Sequence, residues 1–320
     1  MRLPASASAA LSGAGAVPYT PRVTAVQTPR DEARPWLEAE VERLLAAALA
    51  EDIGSGDLTT EALVPAHLRA RARLIARSQG VLAGCELFVR VFERLDPSLR
   101  VERALADRST LASGDVVAVL AGQARTFLSG ERTALNLVQR LAGIATLTAR
   151  FVAAARPARV LDTRKTTPGL RALEKYAVTC GGGENHRFGL YDEAMLKNNH
   201  LDLTRSDLRT LLGVLRARHG ALLWITAEAR DEREALDAVA GDADVVLLDN
   251  FAPADLARLC PKLRAAAAAR PRALELEASG GITLENAAEF GQSGVDRLSI
   301  GALTHSAPAL DLALRLEPLA

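Results

Sequence analysis

The chain has little that would tie it to an oxidising compartment, a membrane or a nucleic acid. Its 320 residues contain three cysteines, Cys85, Cys180 and Cys260, far apart and never in a C-x-x-C arrangement. That speaks against a disulfide framework and a zinc site, and fits a reducing, cytoplasmic setting. No uninterrupted apolar run approaches the roughly 20 residues needed to cross a bilayer. Excess charge is missing as well: 39 basic and 39 acidic side chains give a formal net charge of zero. The global field therefore favours neither nucleic acid nor an anionic membrane, and any anion binding falls to local clusters. No G-x-G-x-x-G follows an apolar run, which argues against a dinucleotide fold.

What is present is ample apolar content, 49%, enough for a sizeable core and about two domains. Residues 1–34, rich in Ala, Ser, Gly and Pro, read as a disordered leader rather than a signal or transit peptide, since the would-be apolar segment is broken by Ser and Gly. Order is expected from Pro35, where Leu37, Val41, Leu44, Leu45 and Ala48 recur at helical spacing. That helix ends at EDIGSGDLTT (51–60). From Ala70 to about Phe127 short β-type runs alternate with turns, predicting a small mixed or antiparallel sheet. A long helix follows, with Ser129 as its N-cap and Glu131 in its first turn.

The second half changes to a strand–helix beat. Short apolar runs recur in ARVLDTRK (158–165), EAMLKNNH (193–200), LLWITAEA (222–229), ADVVLLDNF (243–251), ALELEASGG (273–281) and VDRLSIGAL (295–303). Continuous Val/Ile/Leu runs are the pattern of parallel strands buried on both faces, and the helices between them supply the crossovers. The fold class is α/β, and six visible strands favour a closed or nearly closed barrel.

Each of these strands ends in residues of the kind that build sites: Asp162, Thr163, Arg164 and Lys165, then Lys197, Glu228, Asp249 with Asn250, Ser279-Gly280-Gly281, and Gly301. In a parallel barrel such ends converge on one rim. Between the first two strands, Gly181, Gly182 and Gly183 make a flexible turn ahead of Asn185, His186 and Arg187, letting a His-Arg pair close over a ligand. Arg164, Lys165, Arg187 and Lys197 would repel one another unless an anion balanced them. Arginine's planar fork suits carboxylate or phosphate, so the partner is multiply anionic, as a dicarboxylate with a phosphorylated sugar would be. Glu228 and Asp249 are suited either to holding a hard cation such as Mg2+ or to stabilising positive charge on a sugar ring. The glycines of EASGG and SIGAL offer backbone N–H groups for a sugar phosphate at the starts of the last two helices.

Together EDIGSGDLTT, ERTALNLVQRLAGIATLT, LDTRKTTPGLRALEKYAVTCGGGENHRFGLYDEAMLKNNH, LLDNF, LEASGG and GALTHS resemble the quinolinate phosphoribosyltransferase family, over residues 37 to 318. The resemblance implies an N-terminal open α/β sandwich (35–140), joined by a C-terminal helix (306–320), and an incomplete seven-stranded α/β barrel (141–305). It implies Mg2+ as cofactor, quinolinate and phosphoribosyl pyrophosphate as substrates, and a homodimer or assembly of dimers with shared sites. The family's motif residues fall on Arg132, Thr163, Arg164, Lys165, His186, Arg187 and Lys197 around quinolinate, Arg132 reaching in from the partner subunit. Glu228 and Asp249 match the acids beside the ribose and Mg2+, and Ser279, Gly280, Gly281 and Gly301 the 5-phosphate cradle. Lys165, Glu228 and Asp249 would carry the chemistry. Two positions depart from the family's common pattern: Thr226 stands where a second acid is usual, and Asn198 where many members have Asp. Two other readings of these residues are a molybdenum-transport-associated pyrophosphorylase-like paralogue and a barrel aldolase using Lys165 or Lys197 as a Schiff base.

Overall fold

The computed structural model describes residues 38–319, apart from 222 and 271. The leader expected over 1–34 and the helix start expected at Pro35 lie outside the described residues. The first elements are α1 (Glu38–Ile53), α2 (Leu58–Leu63), β1 (Arg69–Ala76), β2 (Gly80–Val81) and α3 (Cys85–Leu95). They are followed by β3 (Arg100–Ala104), β4 (Thr110–Leu111), β5 (Val116–Gln123) and α4 (Ala124–Ala154). In β1 the sequence R-A-R-A-R-L-I-A alternates, and its apolar positions Ala70, Ala72, Leu74 and Ala76 are the buried ones. This is the period of a sheet with one solvated face.

Two features here differ from the sequence reading. The segment Cys85–Leu95 is a helix, which buries Leu87, Phe88, Val91 and Phe92 on one side. Its V-R-V-F stretch also fits β alternation, and packing against α4 selects the helix: Phe88 and Phe92 stack edge-on at 5.1 Å, and Phe92 meets Phe127 at 5.4 Å. The long helix starts at Ala124 rather than after Ser129, because β5 runs straight into it. Ser129 is inside the helix and its hydroxyl donates to Asp57 at 2.9 Å instead. By length and composition α4 could cross a membrane, yet half of its most apolar window is buried within the fold.

The remaining elements are β6 (Arg159–Leu161), α5 (Arg171–Cys180), β7 (Ala194–Leu196), α6 (Asn198–Thr204), α7 (Leu208–His219), β8 (Ile225–Ala229), α8 (Glu232–Ala240), β9 (Val245–Asp249), α9 (Pro253–Ala267), β10 (Glu275–Ser279), α10 (Ala287–Gln292), β11 (Arg297–Ser299), α11 (Ala302–His305) and β12 (Leu312–Pro318). All six expected strands form one parallel sheet in the order β6-β11-β10-β9-β8-β7. A single parallel bridge from Leu161 to Glu184 adds a seventh position beyond β6, so the sheet curls into an incomplete barrel. Every residue of β8 is buried, as expected for a strand with helices on one face and a filled interior on the other. Leu161, Ser299, Ser279 and Asp249 lie in one register row and mark the start of the rim.

The end of the chain corrects a further expectation. Residues 306–319 do not form a helix; Leu312–Pro318 is a strand that pairs antiparallel with β1, Ala76 opposite Leu312 and Ala70 opposite Pro318. Leu312, Leu314 and Leu316 alternate with Ala313, Arg315 and Glu317, the two-residue period that suits an edge strand. The resulting antiparallel sheet has the order β12-β1-β5-β3, with β2 and β4 as a separate two-stranded ribbon.

Candidate active site

Beyond β6 the chain follows the rim through Thr163, Arg164 and Lys165. The Lys165 amide donates to the Thr163 hydroxyl at 3.0 Å, and the Lys165 carbonyl accepts from the Thr304 hydroxyl at 2.8 Å, so α11, which follows the neighbouring strand β11, pins this loop. Arg164 has a buried Nε with no partner among the described residues. Close by, Arg187 is largely buried, its Nη1 donating to the Glu193 carbonyl at 3.1 Å and its Nη2 to Met195 Sδ at 3.5 Å. Burial first and the Arg164 charge second hold the Arg187 guanidinium below its ordinary pKa. Two guanidiniums that feel each other's charge, neither ion-paired to a carboxylate among the described residues, make a concentration of positive charge that Glu193 and Asp192 offset only from a distance.

Beside this pair lies a mixed group. Lys197 caps α6, and its Nζ is 3.1 Å from Glu228 Oε2. Burial and the Glu228 charge raise the pKa of Asp249, while Lys197 and Lys165 oppose the rise. Lys165, Lys197, Glu228 and Asp249 thus share one neighbourhood. It continues into the arginine pair along β7, whose Met195 carries the Arg187 contact two residues before Lys197. The separate groups read along the sequence are therefore brought together, apart from Asp162, which is buried with Lys175, and Arg132, which is exposed on α4 and makes no hydrogen bond or ion pair with the rim residues described.

Ser279, Gly280 and Gly281 stand at the end of β10, Gly280 and Gly281 at φ +94° and +64°, a left-handed conformation that glycine adopts without strain. They form a loop rather than a helix start, since α10 begins only at Ala287. Gly301 does lead into α11, a single turn. The Gly181–Gly183 turn is also different from expectation. A Cβ at Gly183 would lie 2.8 Å from both Thr148 Cγ2 and Val178 Cγ1. These glycines serve close packing that lets Glu184 bridge to β6, not looseness.

Below the rim the barrel interior is charged. Asp162, expected to face the site, is buried on the helix side in an ion pair with Lys175, whose Nζ also donates to the His186 carbonyl at 2.8 Å. Burial pushes Asp162 up to about 6, against the pull of Lys175. Glu277 is fully buried; burial alone would raise its pKa, but His186 and Arg297 together hold it at about 2. Arg297 Nε donates to Glu277 at 2.7 Å and Arg297 Nη1 to Glu275 at 2.9 Å. Thr226, at the position of the family's second acid, donates its hydroxyl to Glu193, so a carboxylate reaches this layer from the neighbouring segment. Lys175, Glu193, Glu277 and Arg297 were not singled out from sequence. Glu277 and Arg297 each stand two residues before a rim serine in register, Ser279 and Ser299, and the two-residue strand period was the available signal.

Glu228 and Asp249 suit a magnesium ion only in part. They offer carboxylate oxygens, as a hard cation requires, but no group of three or more potential ligands gathers among the described residues. Mg2+ commonly keeps one or two carboxylates and takes its other oxygens from water and substrate phosphates, and this donor set fits that mode.

Comparison with known proteins gives a consistent assignment. The family models described as quinolinate phosphoribosyl transferase, N-terminal and C-terminal domain, match residues 57–142 and 144–315. A relative from Bacillus subtilis, named probable nicotinate-nucleotide pyrophosphorylase [carboxylating], is 42% identical over 277 residues, covering 86% of this chain and 93% of the relative. The nicotinate-nucleotide pyrophosphorylase [carboxylating] of Mycobacterium leprae is 42% identical over 276 residues, covering 84% and 94%. Among solved structures, NadC from Streptococcus pyogenes superimposes with a TM-score of 0.82 at 36% identity, covering 89% of this chain and 99% of that one. With both family models matched across the barrel and the preceding sheet, the chain belongs to the quinolinate phosphoribosyltransferase family.

Proposed function

We propose that this chain transfers the phosphoribosyl group of phosphoribosyl pyrophosphate to quinolinate with loss of CO2, giving nicotinate mononucleotide and pyrophosphate, a step of NAD biosynthesis. The observation that carries the reading is the Arg164–Arg187 pair, ion-paired to no carboxylate among the described residues and set beside Glu228 and Asp249. A planar dicarboxylate balances the arginines, and the acids lie where a ribose would gain positive charge. Sequence identity of 42% over most of the chain to carboxylating pyrophosphorylases supports the same reading over a paralogue with another substrate. Lys197, in contact with Glu228, is better placed for electrostatic work than for a Schiff base.

In this reading Arg164, Arg187, Lys197 and the partner subunit's Arg132 hold the two carboxylates, with Thr163 and His186 behind them. The ring nitrogen attacks C1 of the ribose, the N–C1 bond forms, and the C1–O bond to pyrophosphate breaks. Glu228 and Asp249 stabilise the oxocarbenium character at C1, and Lys165 offsets the charge on the departing pyrophosphate. Mg2+, held by Glu228 and Asp249, would supply further neutralisation of that charge. The ring nitrogen is then cationic and stabilises the electron pair that the breaking C2–carboxylate bond leaves on C2; CO2 departs, and that pair takes a proton from solvent. The loops at Ser279-Gly280-Gly281 and Gly301 hold the 5-phosphate through backbone N–H groups. Positioning of the two anions contributes more than proton transfer, since the attacking nitrogen has no proton to lose.

The exposed Arg132 supports a homodimer, or an assembly of dimers, with shared sites. Residues 35–140, completed by β12, and residues 141–305 act as the two domains, in a cytoplasmic enzyme. Incubation with quinolinate, phosphoribosyl pyrophosphate and Mg2+ should release CO2 and nicotinate mononucleotide, whereas free nicotinate should give no product; an unconsumed quinolinate pool would overturn the assignment. Mixing inactive Arg132→Ala and Glu228→Ala subunits should restore part of the activity. Subunit exchange without recovery would rule out the shared site.

A further inference from the structure

His186 is surrounded in a way its assignment beside the substrate does not require. Its Nδ1 accepts the Arg187 backbone N–H at 2.8 Å, which leaves no room for a proton on that nitrogen. A neutral ring then carries its proton on Nε2, and Nε2 lies 3.3 Å from Glu277 Oε1. The backbone on either side is held too: the His186 amide donates to Asp162 at 2.9 Å, and its carbonyl accepts from Lys175. Nδ1 is thus occupied, and Nε2 is buried against the Glu277 carboxylate without a hydrogen bond among the described residues.

Glu277 in turn is anchored. Its Oε2 accepts from Arg297, Arg297 reaches Glu275, Glu275 accepts from Arg159 Nη2 at 2.6 Å, and Arg159 Nη1 reaches Glu184 at 3.1 Å. This chain of ion pairs crosses the barrel interior and ends two residues before His186. An apolar interior of the same volume would be at least as stable, because desolvating paired charges costs about what their attraction returns. The paired charges do something packing alone would not: they fix an imidazole ring in one orientation and tautomer.

We propose that Glu277 and Arg297 are positioning residues for substrate capture, locking the His186 ring so that it aims Arg187 at the substrate carboxylate rather than touching the substrate itself. The inference rests on the quinolinate reading above for its ligand, but not for its geometry. Fixed orientation is worth having here because a displacement of about 1 Å in a binding group can cost on the order of a hundredfold in rate.

The test has two independent arms. In the unliganded wild-type protein, nitrogen NMR of the His186 ring should show the proton on Nε2 and none on Nδ1, and Glu277→Ala should abolish that signature. A ring holding its proton on Nδ1, or exchanging between the two tautomers, would overturn the proposal whatever the substrate is. In kinetics, the paired change Glu277→Met with Arg297→Met removes both charges and leaves neither unpaired across this contact. It should raise the quinolinate KM roughly tenfold to a hundredfold, with the phosphoribosyl pyrophosphate KM held within about twofold. In that background His186→Ala should add little to the quinolinate KM, because both changes break one relay. Additive effects would mean that His186 binds the substrate directly, and a parallel rise in both KM values would mean general damage to the barrel; either result sinks the idea. Should the wild-type protein fail to consume quinolinate, the functional reading fails and the NMR arm still decides the relay.

Discussion

Glu277 and Ser279 are two residues apart on one strand, and the layers they belong to treat charge in opposite ways. In the layer of Glu277, basic groups meet carboxylates: Arg297 with Glu275 and Glu277, Arg159 with Glu184 and Glu275. In the rim layer Arg164 and Arg187 face each other with no such partner among the described residues. In the lower layer each of these arginines is paired with two carboxylates, so no cation is left over and the layer is scaffold. The rim carries an excess that only a ligand can balance, and that excess is what makes it a site.

This contrast can be broken at several points. The largest effect is expected beneath the rim, from Lys175→Met, which leaves the fully buried Asp162 without its partner and should lower unfolding stability by about 3–5 kcal/mol. Denaturant midpoints measure it, and a change too small to resolve would mean that Asp162 is carried protonated and the layer is not balanced by charge at all. On the rim, Arg187→Ala should leave stability nearly intact and instead cost on the order of 2–5 kcal/mol in kcat/KM for quinolinate. Unchanged kinetics would remove Arg187 from the site.

A smaller effect sharpens the comparison through pH. Glu277 is held at about 2 against an ordinary glutamate value of 4.5, so its ionised form is favoured in the folded protein. The stability this contributes is fully present above the unfolded value and is lost as pH falls from about 4.5 towards about 2. Acid unfolding curves should therefore show wild-type protein and Glu277→Gln converging over that range, with a gap at neutral pH on the order of 2 kcal/mol. A gap independent of pH would assign the stability to shape rather than charge.

Much of the architecture was legible because it is written in local period. The six parallel strands read as short apolar runs between helices, and each was found where expected, with its carboxyl end at the rim. Arg164, Lys165, Lys197, Glu228 and Asp249 could be gathered on one rim from that beat, because parallel strands must all point their ends the same way, and Arg187 was added from the loop after Gly181–Gly183. Elements whose local pattern fits two periods were not legible. Cys85–Leu95 is a helix because Phe88 and Phe92 meet α4, and Leu312–Pro318 is a strand because β1 presents an open edge to it.

What the sequence determined by itself was the fold class, the rim and the chemistry of its cations and acids, since residue type and strand period are properties of neighbours along the chain. Tertiary structure decided which charges are satisfied: that Asp162 pairs with Lys175, that Glu277 stands against His186, and that Arg164 and Arg187 come together without an ion pair among the described residues. Those are contacts between residues 13 and 91 positions apart in the first two cases. Whether a charge is scaffold or site depends on what folding brings within about 4 Å of it, where attraction outweighs screening.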